Sequence, residues 1–227
     1  MKKLPIEVVH YSDVLCVWAY IAQARMDELQ ASFPDDIAVN YRFLQVFGDV
    51  PGKLAALWAD RNGLEGYASH VQDVAAGFEH ISISPRVWLD NTPTSSLPGH
   101  LLLCAAKRLV RKDPESYSAE LSEQLLRALR HAFFVECVDI SQQDELLGLA
   151  EQTGINLSAL LQVLNSGEAH AQLAADLAQA AKISVRASPT LTFNEDRQVL
   201  TGNVGYRVIE ANVRELLRNP GDQQSWC

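Results

Sequence analysis

The turn that decides the fold lies near the N-terminus and reads Ser12-Asp13-Val14-Leu15-Cys16-Val17-Trp18-Ala19-Tyr20-Ile21. A strand is predicted just before it, over residues 6–11, because β-branched valines occupy its centre. A helix is predicted to begin within it and to run from about residue 19 to residue 33. Pro34 ends this helix, because proline disfavours helical geometry in the residue before it. The quoted stretch therefore joins a strand to a helix, with Cys16 close to the start of the helix.

Alternation with a period of two marks the other strands. Residues 37–43 alternate between apolar and other side chains, so strand, helix and strand form a βαβ unit whose two strands should be parallel. The same period returns after Ser188-Pro189, where strands over residues 190–193 and 198–200 form a hairpin. A last helix is predicted over about residues 206–218.

Helical periodicity dominates the segment between these two parts. Its longest apolar stripe has five members at intervals of four residues, namely Tyr117, Leu121, Leu125, Leu129 and Phe133. This stripe predicts one helix, which Asp113 caps and Pro114 begins. The predicted fold class is thus α/β, with an all-helical insertion (51–182) between a βαβ half (1–50) and a ββα half (183–227).

Composition limits the classes of protein to which the chain can belong. Of its 227 residues 48% are hydrophobic and 21% charged, which suits one large domain or two small, closely packed ones. The net charge of −9 argues against nucleic acid and against an anionic membrane surface as partners. No apolar run reaches the roughly 18 residues that a membrane-spanning helix needs. Two lysines near the start precede no apolar signal core, so we expect a cytoplasmic protein.

The four cysteines are Cys16, Cys104, Cys137 and Cys227, and they form neither a CxxC pair nor a regular framework. We therefore expect mostly free thiols in a reducing compartment. Cys104 lies in an apolar helical segment and is predicted to belong to the core. Cys137 and Cys227 remain candidates for a remote resolving thiol.

Four segments, in their order along the chain, carry a resemblance to a known family. They are Ser12 to Ile21, Ala132-Phe133-Phe134 with Asp139-Ile140-Ser141, Ser166-Gly167-Glu168, and Ala187-Ser188-Pro189-Thr190-Leu191. Together they resemble the DsbA-like oxidoreductases, above all the branch that holds 2-hydroxychromene-2-carboxylate isomerases and kappa-class glutathione transferases. The resemblance implies a thioredoxin fold with a helical insertion, and Cys16 as the catalytic residue.

The chain departs from the dithiol members of that family at one decisive position. Those members have a second cysteine three residues after the first, where this chain has Ala19. Many of the isomerases and kappa transferases have serine where this chain has Cys16. The sequence therefore keeps the nucleophile and lacks the resolving thiol, so an outside thiol such as glutathione must release a mixed disulfide.

Cys16 is expected to be reactive because of its position at a helix N-terminus. Unpaired backbone N–H groups and the positive end of the helix dipole favour the thiolate, so we expect the thiol pKa to fall below the free value of roughly 8.5. The alternative is a small buried side chain without chemistry.

The resemblance implies a glutathione site around Cys16. Ser188-Pro189 resembles the family's cis-proline loop, where the Ser188 backbone would pair with the extended peptide; the alternative is a trans-proline that starts a strand. Gly202 and Asn203 lie where kappa-like members bind the γ-glutamyl end, although Val204 replaces their acidic residue; the alternative is a helix-capping turn. Ser12 and Trp18 are further candidates for contact with glutathione or substrate, although Trp18 also fits a packing role.

Other candidate features have simpler explanations. Ser95 and Ser96, in the loop over residues 91–96, are good helix caps before they are substrate contacts. Trp58, Tyr67, Phe78 and Trp88 could wall a pocket, but aromatic residues at such spacing usually form core. His100 and Cys104 alone are weak evidence for a metal site, so no metal is predicted. No nucleotide-binding or serine-hydrolase motif occurs.

Three functions remain open at this point. The first is a monothiol, glutathione-linked thiol-disulfide oxidoreductase acting on a small-molecule thiol or disulfide. The second is an isomerase or transferase that uses glutathione as cofactor on a small aromatic compound. The third is a non-catalytic binding protein on a thioredoxin fold. The sequence leaves a homodimer open as well.

Overall fold

A computed structural model of the protein describes residues 4–90 and 92–218. Within them one mixed sheet holds β1 (Ile6–Ser12), β2 (Ile37–Phe43), β3 (Thr190–Phe193) and β4 (Gln198–Thr201) in the order β2-β1-β3-β4. β1 pairs with β2 in parallel, and β3 pairs antiparallel with both β1 and β4. The predicted α/β class and thioredoxin fold are confirmed.

Helix α1 (Val17–Ser32) connects the two parallel strands, and the last helix, α9 (Tyr206–Arg218), follows the hairpin. These two helices cover one face of the sheet, where Met26, Ile209 and Val213 pack with residues of β1 and β3. The amphipathic spacing of apolar residues in the last helix is what directs it there.

Among the described residues, seven α-helices and one short 3-10 helix (Ala59–Arg61) lie between β2 and β3. The α-helices are α2 (Val50–Trp58), α3 (Gly63–Ala76), α4 (Leu97–Lys112), α5 (Leu121–Phe134), α6 (Gln143–Gln152), α7 (Leu157–Asn165) and α8 (Glu168–Lys182). Their buried side chains share one hydrophobic cluster with Val14, Leu15 and Ile21 of the N-terminal turn and helix. The insertion therefore packs directly against the turn that holds Cys16, while the division into three domains stays a prediction.

The predicted start of α5 is wrong. The helix begins at Leu121, and Asp113 instead follows the end of α4, where its carboxylate accepts a hydrogen bond from the Ser116 N–H at 3.1 Å. Asp113 stabilises a turn in this way, so the apolar stripe continues through Tyr117 without a continuous helix beneath it. In the part of the chain that the structure describes, no helix is long and apolar enough to cross a bilayer.

Candidate active site

Cys16 occupies the N-cap position of α1, between the end of β1 and the first helical turn. The residue is only 6% exposed, and its Sγ donates a hydrogen bond to the Ser188 carbonyl oxygen at 3.3 Å. The Ser188-Pro189 peptide bond is cis, as the sequence predicts. The structure thus places the thiol against the cis-proline loop, although it leaves little of the sulfur open to solvent.

The expected fall of the Cys16 pKa is wrong. Burial raises the pKa of the thiol, and the Asp13 carboxylate raises it further. Hydrogen bonds from the Ser188 side chain and from the backbone of Ala19 and Trp18 lower it, but they do not outweigh the burial. The helix N-terminus therefore acts as expected, and the apolar surroundings decide the sign.

We expect Cys16 to react slowly with a small alkylating agent at neutral pH. Because its pKa is raised, the thiolate fraction at pH 7 is smaller than that of a free thiol, and the alkylation rate should still be rising above pH 9. Site-resolved mass spectrometry of iodoacetamide-treated protein between pH 6 and about 10 measures this, with free glutathione as the reference. A plateau at or below pH 8 would contradict the raised pKa.

Asp13 organises the turn that carries Cys16. Its buried carboxylate accepts hydrogen bonds from the Leu15 N–H at 2.9 Å, the Phe47 N–H at 2.8 Å and the Ser96 hydroxyl at 2.8 Å. Its own N–H donates to Ser188 Oγ at 2.9 Å, which ties the turn to the cis-proline loop. Asp13 was not among the predicted site residues; its signal was a carboxylate in an otherwise apolar stretch, three residues before the cysteine.

His100 supports the same turn from α4. Its Nε2 accepts a hydrogen bond from the Val14 N–H at 3.1 Å and lies 3.7 Å from Asp13 Oδ1, while its ring stacks on Phe43. Burial lowers the pKa of His100, so the imidazole is neutral and its proton lies on Nδ1. This histidine therefore belongs to the architecture of the site, and Cys104 is buried in the core as predicted.

Apart from Ser12, the predicted glutathione-binding residues are linked to the thiol by a series of contacts. The Gly202 N–H donates to the Pro189 carbonyl at 2.8 Å, with Gly202 in a left-handed conformation (φ 85°). Arg25, which the sequence analysis missed, donates to Asn203 Oδ1 and lies over the Phe78 ring, 5.9 Å from its centroid. Trp18 in turn packs edge-on against Phe78 at 6.1 Å. We call Trp18, Phe78, Arg25 and Asn203 the Arg25 rim.

Ser12 lies elsewhere. Its side chain is fully buried and its hydroxyl accepts a hydrogen bond from Arg130 Nη2 at 3.0 Å. That position favours an internal role over the predicted contact with glutathione.

Other residues from the sequence analysis have mainly structural positions. Ser95 Oγ accepts from the Leu97 N–H at 3.1 Å and so supports the start of α4. Tyr67 packs against Trp58 and Trp88 in a buried ring cluster. Cys137 is a half-buried cysteine just after α5. Cys227 and Asn91 lie outside the described residues.

The sheet order, the cis-proline and the cysteine at the start of α1 together point to one family. A sequence model described as the DSBA-like thioredoxin domain matches residues 7–214. The chain belongs to this family. Among curated proteins it is similar to the ClpXP adapter protein SpxH of Halalkalibacterium halodurans, with 24% identity over 95% of this chain and 69% of that protein. The SpxH of Bacillus licheniformis is 33% identical over 48% of this chain and 38% of that protein.

Several solved structures share the fold. A candidate protein disulfide isomerase from Nitrosomonas europaea has a TM-score of 0.75 at 15% identity, and covers 96% of this chain and 100% of its own. The cytosolic disulfide reductase DsbM from Pseudomonas aeruginosa, solved with GSH, has a TM-score of 0.65 at 15% identity, over 92% of this chain and 99% of its own. A 2-hydroxychromene-2-carboxylate isomerase also has a TM-score of 0.65, at 17% identity, over 96% and 100% of the two chains.

Proposed function

We propose that the protein is a monothiol thiol-disulfide oxidoreductase that works with glutathione in the cytoplasm. The observation that carries this proposal is the position of Cys16, whose Sγ lies 3.3 Å from the carbonyl that precedes the cis-proline, with Ala19 in the place of a resolving cysteine. A cytoplasmic compartment fits this chemistry because glutathione keeps thiols reduced there.

The proposed reaction has two exchange steps. The Cys16 thiolate attacks the glutathione sulfur of a mixed disulfide, forming a Cys16–glutathione disulfide and releasing the substrate thiolate, which takes up a proton. A second glutathione thiolate then attacks that sulfur of the bound glutathione, which yields oxidised glutathione and restores Cys16. The net reaction uses one free glutathione and one mixed disulfide and yields the substrate thiol and oxidised glutathione, so the protein returns to its starting state.

The Arg25 rim forms part of the proposed binding site for glutathione. The glutathione peptide would lie along the Ser188 backbone as an added strand, beside the thiol. Its γ-glutamyl carboxylate would face the guanidinium of Arg25, because a planar pair of N–H donors matches a carboxylate. The similar fold of DsbM, which was solved with GSH, supports glutathione as the ligand.

Replacement of Arg25 by alanine should weaken the binding of reduced glutathione about tenfold, because it removes a charged hydrogen bond to the ligand. Isothermal titration calorimetry at millimolar glutathione measures the change. Arg207→Ala, at an exposed position on α9, is the matched control and should leave the affinity unchanged. Absence of heat from the wild-type protein would remove glutathione from the proposal.

A binding protein without catalysis is the second candidate function. Two observations favour it: the Cys16 thiol is nearly buried with a raised pKa, and the curated relatives are named as ClpXP adapter proteins. In that case Cys16 would be part of the packing around the cis-proline loop. Incubation with a mixed glutathione disulfide separates the two functions, because only the oxidoreductase releases the substrate thiol catalytically.

A further inference from the structure

Arg130 is a buried cation beneath the start of α1. It lies on α5 and is 1% exposed. Its Nη2 donates to Ser12 Oγ at 3.0 Å and its Nη1 to Gln23 Oε1 at 3.4 Å. Among the described residues, Nε has no hydrogen-bond partner and no carboxylate oxygen lies within 4.0 Å of the guanidinium. The arginine therefore lacks the direct ion pair that a buried charge normally has.

This arrangement needs a compensating group. Placing an unpaired charge in the interior costs several kcal/mol, so a buried arginine is retained where an anion forms nearby. Burial lowers the pKa of Arg130 to about 10, which leaves the guanidinium charged at neutral pH. Negative charge on Tyr41, Cys16 or Asp13 opposes that fall, whereas Arg127 adds to it.

The hydrogen-bond partners of Arg130 lie on both sides of Cys16 in sequence. Ser12 ends β1 four residues before the cysteine, and Gln23 lies seven residues after it on α1. Because the α-helix repeats every 3.6 residues, Gln23 lies two turns along the helix on the side nearest to Cys16. Tyr20, one turn along the same side, also lies in the field of Arg130. The guanidinium is thus beneath the first turns of the helix that begins at the thiol.

We propose that Arg130 is a positioning residue, which holds the strand-to-helix turn through Ser12 and stabilises the Cys16 thiolate through its buried positive charge. This inference rests on the proposed exchange reaction, and it identifies Arg130 as the positive charge that stabilises the attacking thiolate. The proposal also explains how a nearly buried cysteine can form an anion. Burial disfavours the Cys16 thiolate, and the positive charge of Arg130 offsets part of that effect.

The other charged and titratable groups around Cys16 do not supply this effect. Asp13, in the turn, has the same sign as the thiolate and disfavours it. Tyr67, from α3, interacts electrostatically with Cys16. Burial raises the pKa of Tyr67, and the charges of Cys16 and Asp13 raise it further, so the phenol is neutral. His100, from α4, contacts Asp13 and is neutral because burial lowers its pKa. His10, on β1, lies in the field of Arg130 and is also neutral, because burial lowers its pKa.

The test compares Arg130→Gln with Arg130→Lys in the full chain. Glutamine keeps a donor for Ser12 and loses the charge, whereas lysine keeps the charge. Site-resolved alkylation of Cys16 against pH should show an upward shift of its pKa by about one unit in Arg130→Gln, which is a tenfold lower rate at pH 7. Arg130→Lys should stay within about threefold of the wild type. The effect should persist in 1 M salt, because a buried charge is little screened.

Two results would overturn the inference. One is an unchanged alkylation profile in a folded Arg130→Gln protein, checked by circular dichroism. The other is an equal loss in both variants, which would mean that arginine acts by packing alone. Should Arg130→Gln fail to fold, Arg130→Met tests the same loss of charge with a side chain that suits the core. The exchange activity of the wild type is assayed separately, so a failure of the proposed function is distinguishable from a failure of the role of Arg130.

Discussion

Replacement of Cys16 by serine should reduce the release of substrate thiol from a mixed glutathione disulfide by at least about a thousandfold, to the uncatalysed rate. The thiolate is the attacking group, and a serine hydroxyl at the same position is neither ionised nor able to form a disulfide. Coupled measurement of oxidised glutathione gives the rate. Structural change should be small, since serine is close in size to cysteine and its hydroxyl can still donate to the Ser188 carbonyl.

Cys137→Ser is the matched control for that experiment. Cys137 is a half-buried cysteine after α5, so its replacement tests whether a second cysteine of the chain resolves the mixed disulfide. Full activity in this variant together with none in Cys16→Ser supports a one-cysteine reaction. Equal activity in the Cys16→Ser variant and the wild type would contradict the proposal that Cys16 is the nucleophile.

Introducing a cysteine at position 19 extends the same prediction. Ala19 is buried on the first turn of α1, three residues after Cys16, where dithiol members of the family have their second cysteine. In Ala19→Cys the mixed disulfide should be resolved within the chain. Mass spectrometry without excess glutathione should then find a Cys16–glutathione adduct on the wild type and an internal disulfide on the variant.

The strands could be predicted from the sequence because their signals are local, whereas the cis-proline loop was predicted only from the family resemblance around Ser188-Pro189. Alternation of apolar residues gave β2 its bounds, and the hairpin follows from two short alternating runs around a turn. The start of α5 could not be predicted in the same way. The apolar stripe through Tyr117 describes which residues face the core, whereas the turn at Asp113 depends on a side-chain hydrogen bond that no periodicity reveals.

The electrostatics of the site depend on burial, which a single sequence does not give. The start of α1 near Cys16 could be predicted from the sequence, and the backbone hydrogen bonds there lower the Cys16 pKa as expected. The net shift was reversed by burial of the turn under α3, α4 and α5, and these helices come from distant parts of the chain. The same packing makes Asp13 an internal acceptor rather than a solvated turn residue.

His10 is expected to make the fold sensitive to acid. It lies on β1, where its ring packs edge-on against Tyr41 at 5.4 Å, and in the described structure neither ring nitrogen has a hydrogen-bond partner. Burial, together with the charge of Arg130, lowers the pKa of His10 from 6.5 to about 3. The folded state therefore holds a neutral imidazole over a pH range in which the unfolded chain takes up a proton.

The sign of the pH dependence follows from that difference. The contribution of a group with a lowered pKa is fully present above its unfolded value, here 6.5, and is lost as the pH falls toward the folded value of about 3. Each pH unit in this window costs about 1.4 kcal/mol of the free energy of unfolding. His10→Phe keeps a planar ring against Tyr41 and cannot take up a proton. At pH 4 the wild type should have lost roughly 3 kcal/mol more than this variant, relative to pH 7.

Urea unfolding of both proteins at pH 7, 5.5 and 4 measures the effect. His100, whose pKa is also lowered by burial, is present in both proteins, so its contribution cancels in the comparison. His10→Leu should reduce the pH dependence of the free energy of unfolding in the same way. This second variant is a control in case the larger phenylalanine ring does not fit the site. Parallel curves for the wild type and both variants would show that the imidazole is hydrated or paired in the folded state, and that the interior beneath α1 is less apolar than its packing indicates.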